Sequence, residues 1–409
     1  MSDSRFSATA DGSASRAVNR RTVLVGAAGA LSGIALTRPS QVWGHAAAPA
    51  VLADSPFDPT RARQLQAILD DMVAASAGSI PGVVLYVEHD GHGSWTGASG
   101  FGQLDPNVKF RPGDRFGVGS IVKPFVATTV LQLAEGGRLT LDDSLPDLLP
   151  ADVIGRFPGA SEITVRMLLG HRSGLPDWDS PDVESSAIGD LGKIWTESEL
   201  LDLAAAKEPL FSPGADYSYS NTNYTLLGLI IEHATGRSWR DEVADGVIKP
   251  LELEATALPS PGDRSLGGSH AHGYVDVSGE LLDISTVDPS MAGAAGGNAL
   301  VTSASDLVRF FNALLAGRLF QHPETLKAML DFKPATEEPG QVGYGLGILH
   351  RALPGGIETI DHLGGAAGYT AYVARLPRQQ VTLATAMNSI ADPGSLVFPV
   401  LQAFATPEG

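Results

Sequence analysis

Hydrophobic positions follow two different spacings along the chain. Apolar residues recur at helical spacing over 62–76, and the pattern is mainly helical again from about 120 to 255, where a capping box at 196–199 opens one helix. Apolar segments typical of strands lie on both sides of that region. We expect strands at 82–88, 95–99, near Phe116, 344–350, 357–361, 369–376 and 380–387. Two further helices are predicted at 304–316 and 396–404.

The order of these elements predicts an α/β (α+β) fold made of two parts. Strands come from both ends of the chain and helices from its middle, so the simplest assembly is an antiparallel sheet flanked by helices, with an all-helical domain inserted. We expect the sheet domain to comprise 51–118 and 290–409, and the helical domain 119–289. A catalytic cleft would then lie between the two parts.

The composition indicates a large, acidic protein without cysteine. Its 409 residues, 43% of them hydrophobic, are enough to bury a substantial core. The net charge is −18, so we expect neither nucleic acid nor anionic lipid as a partner. Because the chain has no Cys, it forms no disulfide or zinc-thiolate site and carries no Cys nucleophile.

Residues 1–50 are typical of an export signal. Arg20 and Arg21 precede a weakly apolar run from Val23 to Leu36, and Ala48-Pro49-Ala50 offers one cleavage site. Spanning a bilayer takes about 20 apolar residues, which this run does not reach. We expect a twin-arginine-type signal, a secreted or extracytoplasmic location and no stable membrane span in the mature chain. The alternative is an uncleaved interfacial anchor or a disordered tail.

Ser120 and Lys123 form an S-x-x-K pair in a segment with helical pattern. A spacing of three on a helix brings the Lys amine beside the Ser hydroxyl. Apolar neighbours would lower the pKa of the amine, so that it could act as a base toward Ser120. Gly117-Val118-Gly119 permits a close backbone approach just before the Ser. The alternative is a helix N-cap Ser followed by a solvated Lys.

Two later segments carry groups suited to acyl transfer. Tyr219-Ser220-Asn221 offers a hydroxyl that can relay a proton and an amide that can hold a carbonyl, unless it is only an aromatic-rich turn that caps the next helix. His362-Leu363-Gly364-Gly365 offers an imidazole and glycine N–H groups for an oxyanion, unless it is a surface loop with an incidental His. His270 and His272 could share a strand face, but nothing nearby indicates a third metal ligand. We expect neither a metal nor a cofactor.

The motifs S-x-x-K, Y-x-N and H-x-G, in this order, resemble those of the serine β-lactamase and penicillin-binding protein superfamily. The similarity extends from about residue 60 to 390 and includes the segments 163–176 and 295–307. It is strongest for the branch with serine D-alanyl-D-alanine carboxypeptidases, class C-type β-lactamases and related esterases. The resemblance implies a β-lactamase-like fold and a covalent acyl-enzyme.

The resemblance also implies the roles of individual residues. Ser120 would be the acylated nucleophile and Lys123 its base. Tyr219 would relay the proton to the leaving group, and His362 would supply the polar group of the third motif. The backbone N–H groups of Ser120 and Gly365 would form the oxyanion hole. The substrate-binding candidates are Asn221, which would orient the acyl side chain, Gly364 and Gly365.

Three departures from the carboxypeptidase pattern bear on the substrate. Leu363 stands where such enzymes usually have a hydroxyl residue that helps to bind a terminal carboxylate, and Gly365 stands where Ser or Thr is common. The segment 344–349 lacks the Arg that follows its glycines in carboxypeptidases, although Arg351 could replace it if the register of the strand shifts. A lost charge-assisted contact weakens carboxylate binding roughly 10- to 150-fold.

Three hypotheses about function follow. The first is an exported serine acyl hydrolase that acts as a D-alanyl-D-alanine carboxypeptidase or a β-lactam-reactive relative. Its substrate would be a small peptide, a β-lactam or an ester, with a peptidoglycan stem peptide as one candidate. The second is an esterase, amidase or acyl transferase for substrates without a free carboxylate. The third is a non-catalytic binding module, in which Ser120 is not acylated.

Overall fold

The computed structural model describes residues 56–296 and 299–405. The predicted export signal at 1–50 lies outside these residues, and so do Gly297 and Asn298 of the segment 295–307. Within the described ranges, no helix combines the length and the apolar character that crossing a bilayer requires.

The described residues form strands β1 to β12 and helices α1 to α12, joined by turns, short 3₁₀ segments and a π-helical segment at Ala244–Ile248. The strands are β1 Gly82–His89, β2 Ser94–Leu104, β3 Asn107–Lys109, β4 Phe116–Gly117, β5 Tyr274–Val277, β6 Glu280–Asp283, β7 Val301–Thr302, β8 Gln341–Tyr344, β9 Leu349–Leu353, β10 Ile357–Ala366, β11 Tyr369–Leu376 and β12 Val381–Met387. The helices are α1 Pro59–Ala75, α2 Val122–Glu135, α3 Leu145–Leu148, α4 Ala151–Ile154, α5 Val165–Leu169, α6 Pro181–Gly189, α7 Glu197–Ala205, α8 Asn221–Thr235, α9 Trp239–Val243, α10 Ala304–Leu315, α11 Pro323–Met329 and α12 Pro393–Ala405.

One eight-stranded antiparallel sheet unites the two ends of the described chain. Its order is β3-β2-β1-β12-β11-β10-β9-β8, and β1 pairs with β12 so that Val83 lies opposite Met387. Strands from early and late in the sequence therefore meet in the middle of the sheet. The predicted antiparallel sheet built from both chain ends and flanked by helices is confirmed.

Helices α1 and α12 cover one face of the sheet. The apolar spacing over 62–76 predicts α1, and its Leu65 and Leu69 are fully buried against residues of β1, β11 and β12. Asp58 accepts hydrogen bonds from the N–H groups of Thr60 and Arg61, which caps the first turn of α1. This hydrophobic layer supports the sheet on the side opposite to α2.

The larger core lies on the opposite face and centres on α2. Every residue of this helix from Val122 to Leu131 is buried, because α2 is surrounded by α8, α9 and α10. Phe125 stacks on Phe310 of α10 with ring centres 3.7 Å apart. A helix in this position holds its N-terminal residues firmly against the sheet.

The structure differs from the expected elements in several places, and the sequence pattern does not predict β3, β7 or α11. The stretch 344–350, expected as one strand, is the end of β8, a turn and the start of β9. Gly347 has a φ of +82°, and a Cβ there would lie 2.5 Å from the Ala127 side chain of α2, so this tight turn needs glycine. The segment expected to be all-helical also contains the hairpin β5–β6. The domain boundaries remain a prediction.

Candidate active site

Ser120 lies on the turn that leads into α2. Residues Gly119–Ile121 form a 3₁₀ segment directly before the helix, and Gly119 has a φ of +54°, which favours glycine. Ser120 is partly exposed, whereas its neighbours Gly119 and Ile121 are buried. The hydroxyl therefore sits at the N-terminus of a buried helix, whose dipole favours negative charge there.

The backbone of β10 packs directly on this turn. A Cβ on Gly364 would lie 1.9 Å from the Val118 carbonyl oxygen, and one on Gly119 would lie 2.7 Å from the Gly365 nitrogen. Among the described residues, the Ser120 N–H donates no hydrogen bond to another backbone group. The Gly365 backbone thus lies beside the Ser120 turn, as an oxyanion hole built from these two N–H groups requires.

Lys123 lies one turn after Ser120 and is fully buried. Its Nζ donates to Ser120 Oγ at 3.0 Å and to Asn221 Oδ1 at 2.8 Å, and it also donates to the Ala295 carbonyl oxygen. Burial lowers the pKa of Lys123 to about 7, although the charges of Asp177 and Asp179 act to raise it. The solvated Lys of the alternative interpretation is thus excluded, and the amine is poised to exchange a proton near neutral pH.

Asn221 begins α8, and both ends of its side-chain amide are engaged. Its Oδ1 accepts from Lys123, and its Nδ2 donates to Asp177 Oδ2 at 3.0 Å. Burial raises the pKa of Asp177, and burial together with the Glu184 charge raises the pKa of Asp179 to about 7. Asn221 therefore connects the Lys123 amine to an acidic pair rather than standing free for a substrate carbonyl.

Tyr219 places its ring beside the same amine. Lys123 Nζ lies 4.8 Å from the centre of the Tyr219 ring, and the Glu337 carboxylate accepts the Tyr219 backbone N–H at 3.0 Å. Burial raises the pKa of Tyr219 well above its usual range, and the Ser120 hydroxyl offsets only part of this effect. The phenol therefore remains protonated and can donate its proton.

His362 lies on β10 and is almost fully buried. Its Nδ1 donates to the Leu363 carbonyl oxygen at 2.7 Å, so its Nε2 accepts from the Tyr344 hydroxyl at 3.4 Å. Burial, followed by the nearby Lys123 charge, lowers the pKa of His362 to about 3. His362 is thus a neutral imidazole close to Lys123, with both of its nitrogens engaged.

These side chains converge in a chain whose sequence matches a known family. The sequence model of the family described as Beta-lactamase matches residues 63–396. This chain belongs to that family. Penicillin-binding protein 4* of Bacillus subtilis (strain 168) is 28% identical over 307 residues, which cover 72% of this chain and 65% of that protein. The chain thus spans less than two thirds of the length of this relative.

Two solved structures extend the similarity of this Beta-lactamase family chain. The D-stereospecific amidohydrolase from Streptomyces sp. has 34% sequence identity and a TM-score of 0.72, covering 82% of this chain and 97% of that one. The D-amino acid amidase from Ochrobactrum anthropi SV3, complexed with L-phenylalanine amide, has 30% identity and a TM-score of 0.73, covering 84% and 98%. The chain has the β-lactamase fold.

Arg351 does not reach the candidate site of this β-lactamase-fold chain. It lies opposite Thr359 of β10, which puts it on the same sheet face as Asp361. There its Nε donates to Asp361 at 2.9 Å and its Nη2 to Glu338, and Arg351 is buried. The expectation that Arg351 could bind a substrate carboxylate is therefore wrong, because Asp361 and Glu338 already neutralise it.

Leu363 also faces away from Ser120. Its side chain packs with the hydrophobic cluster beneath α1 and α12, while the next residue, Gly364, faces the Val118 carbonyl. Consecutive residues of a strand project to opposite faces, so these two cannot share a side of the sheet. The inference that Leu363 affects carboxylate binding by its side chain is therefore wrong.

The two histidines considered as metal ligands lie at the sheet margin. His270 and His272 stack with ring centres 5.3 Å apart, and His272 Nδ1 is 2.6 Å from Asp283 Oδ2. In the described part of the chain, no three His, Asp or Glu side chains gather as a metal site. Among the described residues, His272 therefore has a carboxylate partner, Asp283, but no further ligands with which to bind a metal.

Several groups that surround Lys123 belong to none of the three sequence motifs. Ala295 contributes only a carbonyl, and the carboxylates of Asp177 and Asp179 lie on the loop between α5 and α6. The tyrosine Tyr344, which binds His362, ends β8. Ala295 and Tyr344 stand in segments whose sequence can be compared with that of the family, but the comparison assigns a role to neither. Asp177 and Asp179 lie outside those segments.

We expect Gly364→Ala to damage both stability and catalysis. The new Cβ would meet the Val118 carbonyl at 1.9 Å and force β10 away from the Ser120 turn. Such overpacking costs about 1–3 kcal/mol, and a misplaced oxyanion hole lowers kcat by roughly 10²-fold. Thermal unfolding and ester turnover measure the two effects.

The matched control is Gly365→Ala. A Cβ there would meet only the Tyr369 carbonyl oxygen at 3.8 Å, an ordinary contact. Its melting temperature should therefore stay close to that of the unmodified protein. Equal destabilisation by both substitutions would contradict the close approach at Gly364.

Proposed function

We propose that this chain is an amidohydrolase that forms an acyl-enzyme at Ser120. Its preferred substrates are amides of D-amino acids that lack a free carboxylate. The observation that carries the proposal is the contact between the Lys123 amine, with its lowered pKa, and the Ser120 hydroxyl at 3.0 Å. The similarity to a D-stereospecific amidohydrolase and to a D-amino acid amidase supports the substrate class.

Acylation begins when the neutral Lys123 amine takes the proton of Ser120. The Ser120 oxygen then bonds to the amide carbon, and the negative charge on the carbonyl oxygen is held by the N–H groups of Ser120 and Gly365. The Tyr219 phenol protonates the departing nitrogen and regains its proton from the Lys123 ammonium. Ammonia or an amine leaves, and the acyl group stays on Ser120.

Hydrolysis of the acyl-enzyme reverses these proton movements. Water attacks the ester carbon while the Lys123 amine takes its proton, and the Lys123 ammonium then gives that proton to the Ser120 oxygen as the acid leaves. Because Tyr219 is protonated and the pKa of Lys123 is about 7, the base is the amine rather than a phenolate.

The surroundings of the site favour substrates without a carboxylate. Arg351, the cation nearest in sequence to the expected position, is bound by Asp361 and Glu338 on the other sheet face. Asp177 and Asp179 instead place acidic groups beside Lys123. Because Arg351 is already paired, it offers no charge-assisted contact to a terminal carboxylate, which disfavours the carboxypeptidase reaction.

The test compares three substrates. The protein is incubated with D-phenylalanine amide, with L-phenylalanine amide and with a diacyl-L-Lys-D-Ala-D-Ala peptide, and released ammonia and D-alanine are measured. We expect turnover of the D-amide at a kcat/KM about tenfold or more above that of the L-amide, with little D-alanine released. Ser120→Ala is the control and should release neither product.

Two outcomes would contradict the proposal. Ser120-dependent release of D-alanine faster than that of ammonia would identify a carboxypeptidase. A protein that is labelled at Ser120 by a fluorophosphonate, yet turns over aryl esters and neither amide nor peptide, would identify an esterase.

A further inference from the structure

His171 belongs to none of the three motifs, yet its ring and its backbone both contact the segment that carries Tyr219. It follows α5, is fully buried and has a φ of +55°, in the left-handed region that non-glycine residues rarely adopt. Such conformations persist where the surrounding structure enforces them, and they are frequent at active sites.

The backbone and the ring of His171 bind the chain on both sides of Tyr219. The His171 carbonyl oxygen accepts the Ser218 N–H at 3.0 Å, and the ring Nδ1 accepts the Ser220 N–H at 3.2 Å. Tyr219 lies between these two anchored residues. One residue thus fixes the backbone immediately before and after the phenol.

The ring is itself held in one orientation. Asn223 Nδ2 lies 3.0 Å from His171 Nδ1, and Asn223 Oδ1 accepts from the Ser173 hydroxyl at 2.6 Å. The amide nitrogen of Asn223 is therefore directed at His171. Since both partners of Nδ1 are donors, Nδ1 carries no proton and the ring is the Nε2–H tautomer.

The same ring packs against the face of Tyr219. Their ring centres are 4.3 Å apart with an angle of 32° between the planes, and Tyr344 meets the His171 ring edge-on at 4.9 Å. Because the backbone anchors and the ring contact come from one residue, a change at His171 moves the phenol relative to Ser120 and Lys123.

We propose that His171 is a positioning residue that sets the place of the Tyr219 phenol by bracketing its backbone and packing on its ring. The inference rests on the proposed role of Tyr219 as the proton donor to the leaving group. His171 touches no substrate in this role. Its effect should therefore be confined to steps that need the Tyr219 proton.

The test uses two substitutions that separate the ring from the acceptor. His171→Phe keeps an aromatic ring beside Tyr219 but removes the acceptor of the Ser220 N–H. His171→Asn keeps an acceptor oxygen and tolerates a positive φ, but it removes the ring. Thermal unfolding shows whether each variant is folded. Titration with a fluorophosphonate counts the reactive Ser120 sites in each preparation. His171→Leu, which also removes the acceptor of the Ser220 N–H, replaces the Phe variant if that protein does not fold.

The decisive readout is the dependence on the leaving group. The ethyl and p-nitrophenyl esters of one N-acyl D-amino acid differ in their leaving groups. Ethoxide must be protonated as it leaves, whereas p-nitrophenolate can leave without a proton. We expect His171→Phe to lower kcat about 30-fold on the ethyl ester and less than about threefold on the p-nitrophenyl ester, with KM unchanged. His171→Asn should retain ethyl ester turnover within about fivefold of the unmodified protein.

Tyr219→Phe separates failure of this inference from failure of the proposed function. His171 acts through Tyr219 if two results are found. Tyr219→Phe must show the same leaving-group pattern, in which the ethyl ester is slowed much more than the p-nitrophenyl ester, and the double variant of His171→Phe with Tyr219→Phe must be no slower than Tyr219→Phe alone. If Tyr219→Phe shows the pattern and His171→Phe slows both esters equally, the positioning role is overturned. If Tyr219→Phe shows no pattern, the proton-donor role of Tyr219 fails instead.

Discussion

Ser120→Ala is expected to lower kcat by roughly 10⁴- to 10⁶-fold. The substitution removes the oxygen that lies 3.0 Å from Lys123 Nζ, so no covalent intermediate can form. Residual turnover would come from binding and from the oxyanion hole alone. Single-turnover hydrolysis of a p-nitrophenyl ester measures the loss, and mass spectrometry with a fluorophosphonate or a β-lactam measures the missing adduct.

A second serine provides the control for this substitution. Ser94 is exposed at the start of β2 and belongs to no part of the site, so Ser94→Ala should be labelled and should turn over ester as the unmodified protein does. A full adduct on the Ser120→Ala protein would contradict the assignment of the nucleophile. A missing adduct on both variants would point to damaged protein.

Local patterns in the sequence account for much of the fold. The apolar spacing of α1 and the capping box of α7 depend on neighbours within one or two turns, and both features are present. The turn between β8 and β9 could not be predicted in this way. Its apolar residues are typical of a strand, but Gly347 lies against Ala127 of α2, a contact that forms only once the chain has folded.

The site shows the same division between local and tertiary information. The spacing of Ser120 and Lys123 predicts their contact, because both lie within one helical turn. The placement of Arg351 depends on strand register instead, and a shift by one residue reverses the face to which a side chain points. For His171, the sequence carries no periodic signal at all, since its partners Ser218 and Ser220 are distant in the chain.

The rate of Ser120 acylation is expected to follow the titration of Lys123. Burial lowers the pKa of Lys123 to about 7, and only the neutral amine can accept the Ser120 proton. The acylation rate should therefore rise as the pH increases through about 7 and level off above it. Each unit below the pKa should cost about tenfold. The rate of fluorophosphonate labelling, measured from pH 5 to about 9, records this profile.

Lys123→Met removes the base while it keeps an unbranched, apolar side chain in the buried position. Acylation should slow by about 10²- to 10⁴-fold, and the rise through neutral pH should disappear. Asp179 titrates in the same range, because burial raises its pKa to about 7, so Asp179→Asn is the matched variant. The Asp179 charge raises the pKa of Lys123, so removing it should move the profile to lower pH without abolishing it. If the rise vanished in Asp179→Asn and persisted in Lys123→Met, the titrating group would be Asp179, and Lys123 would not be the base.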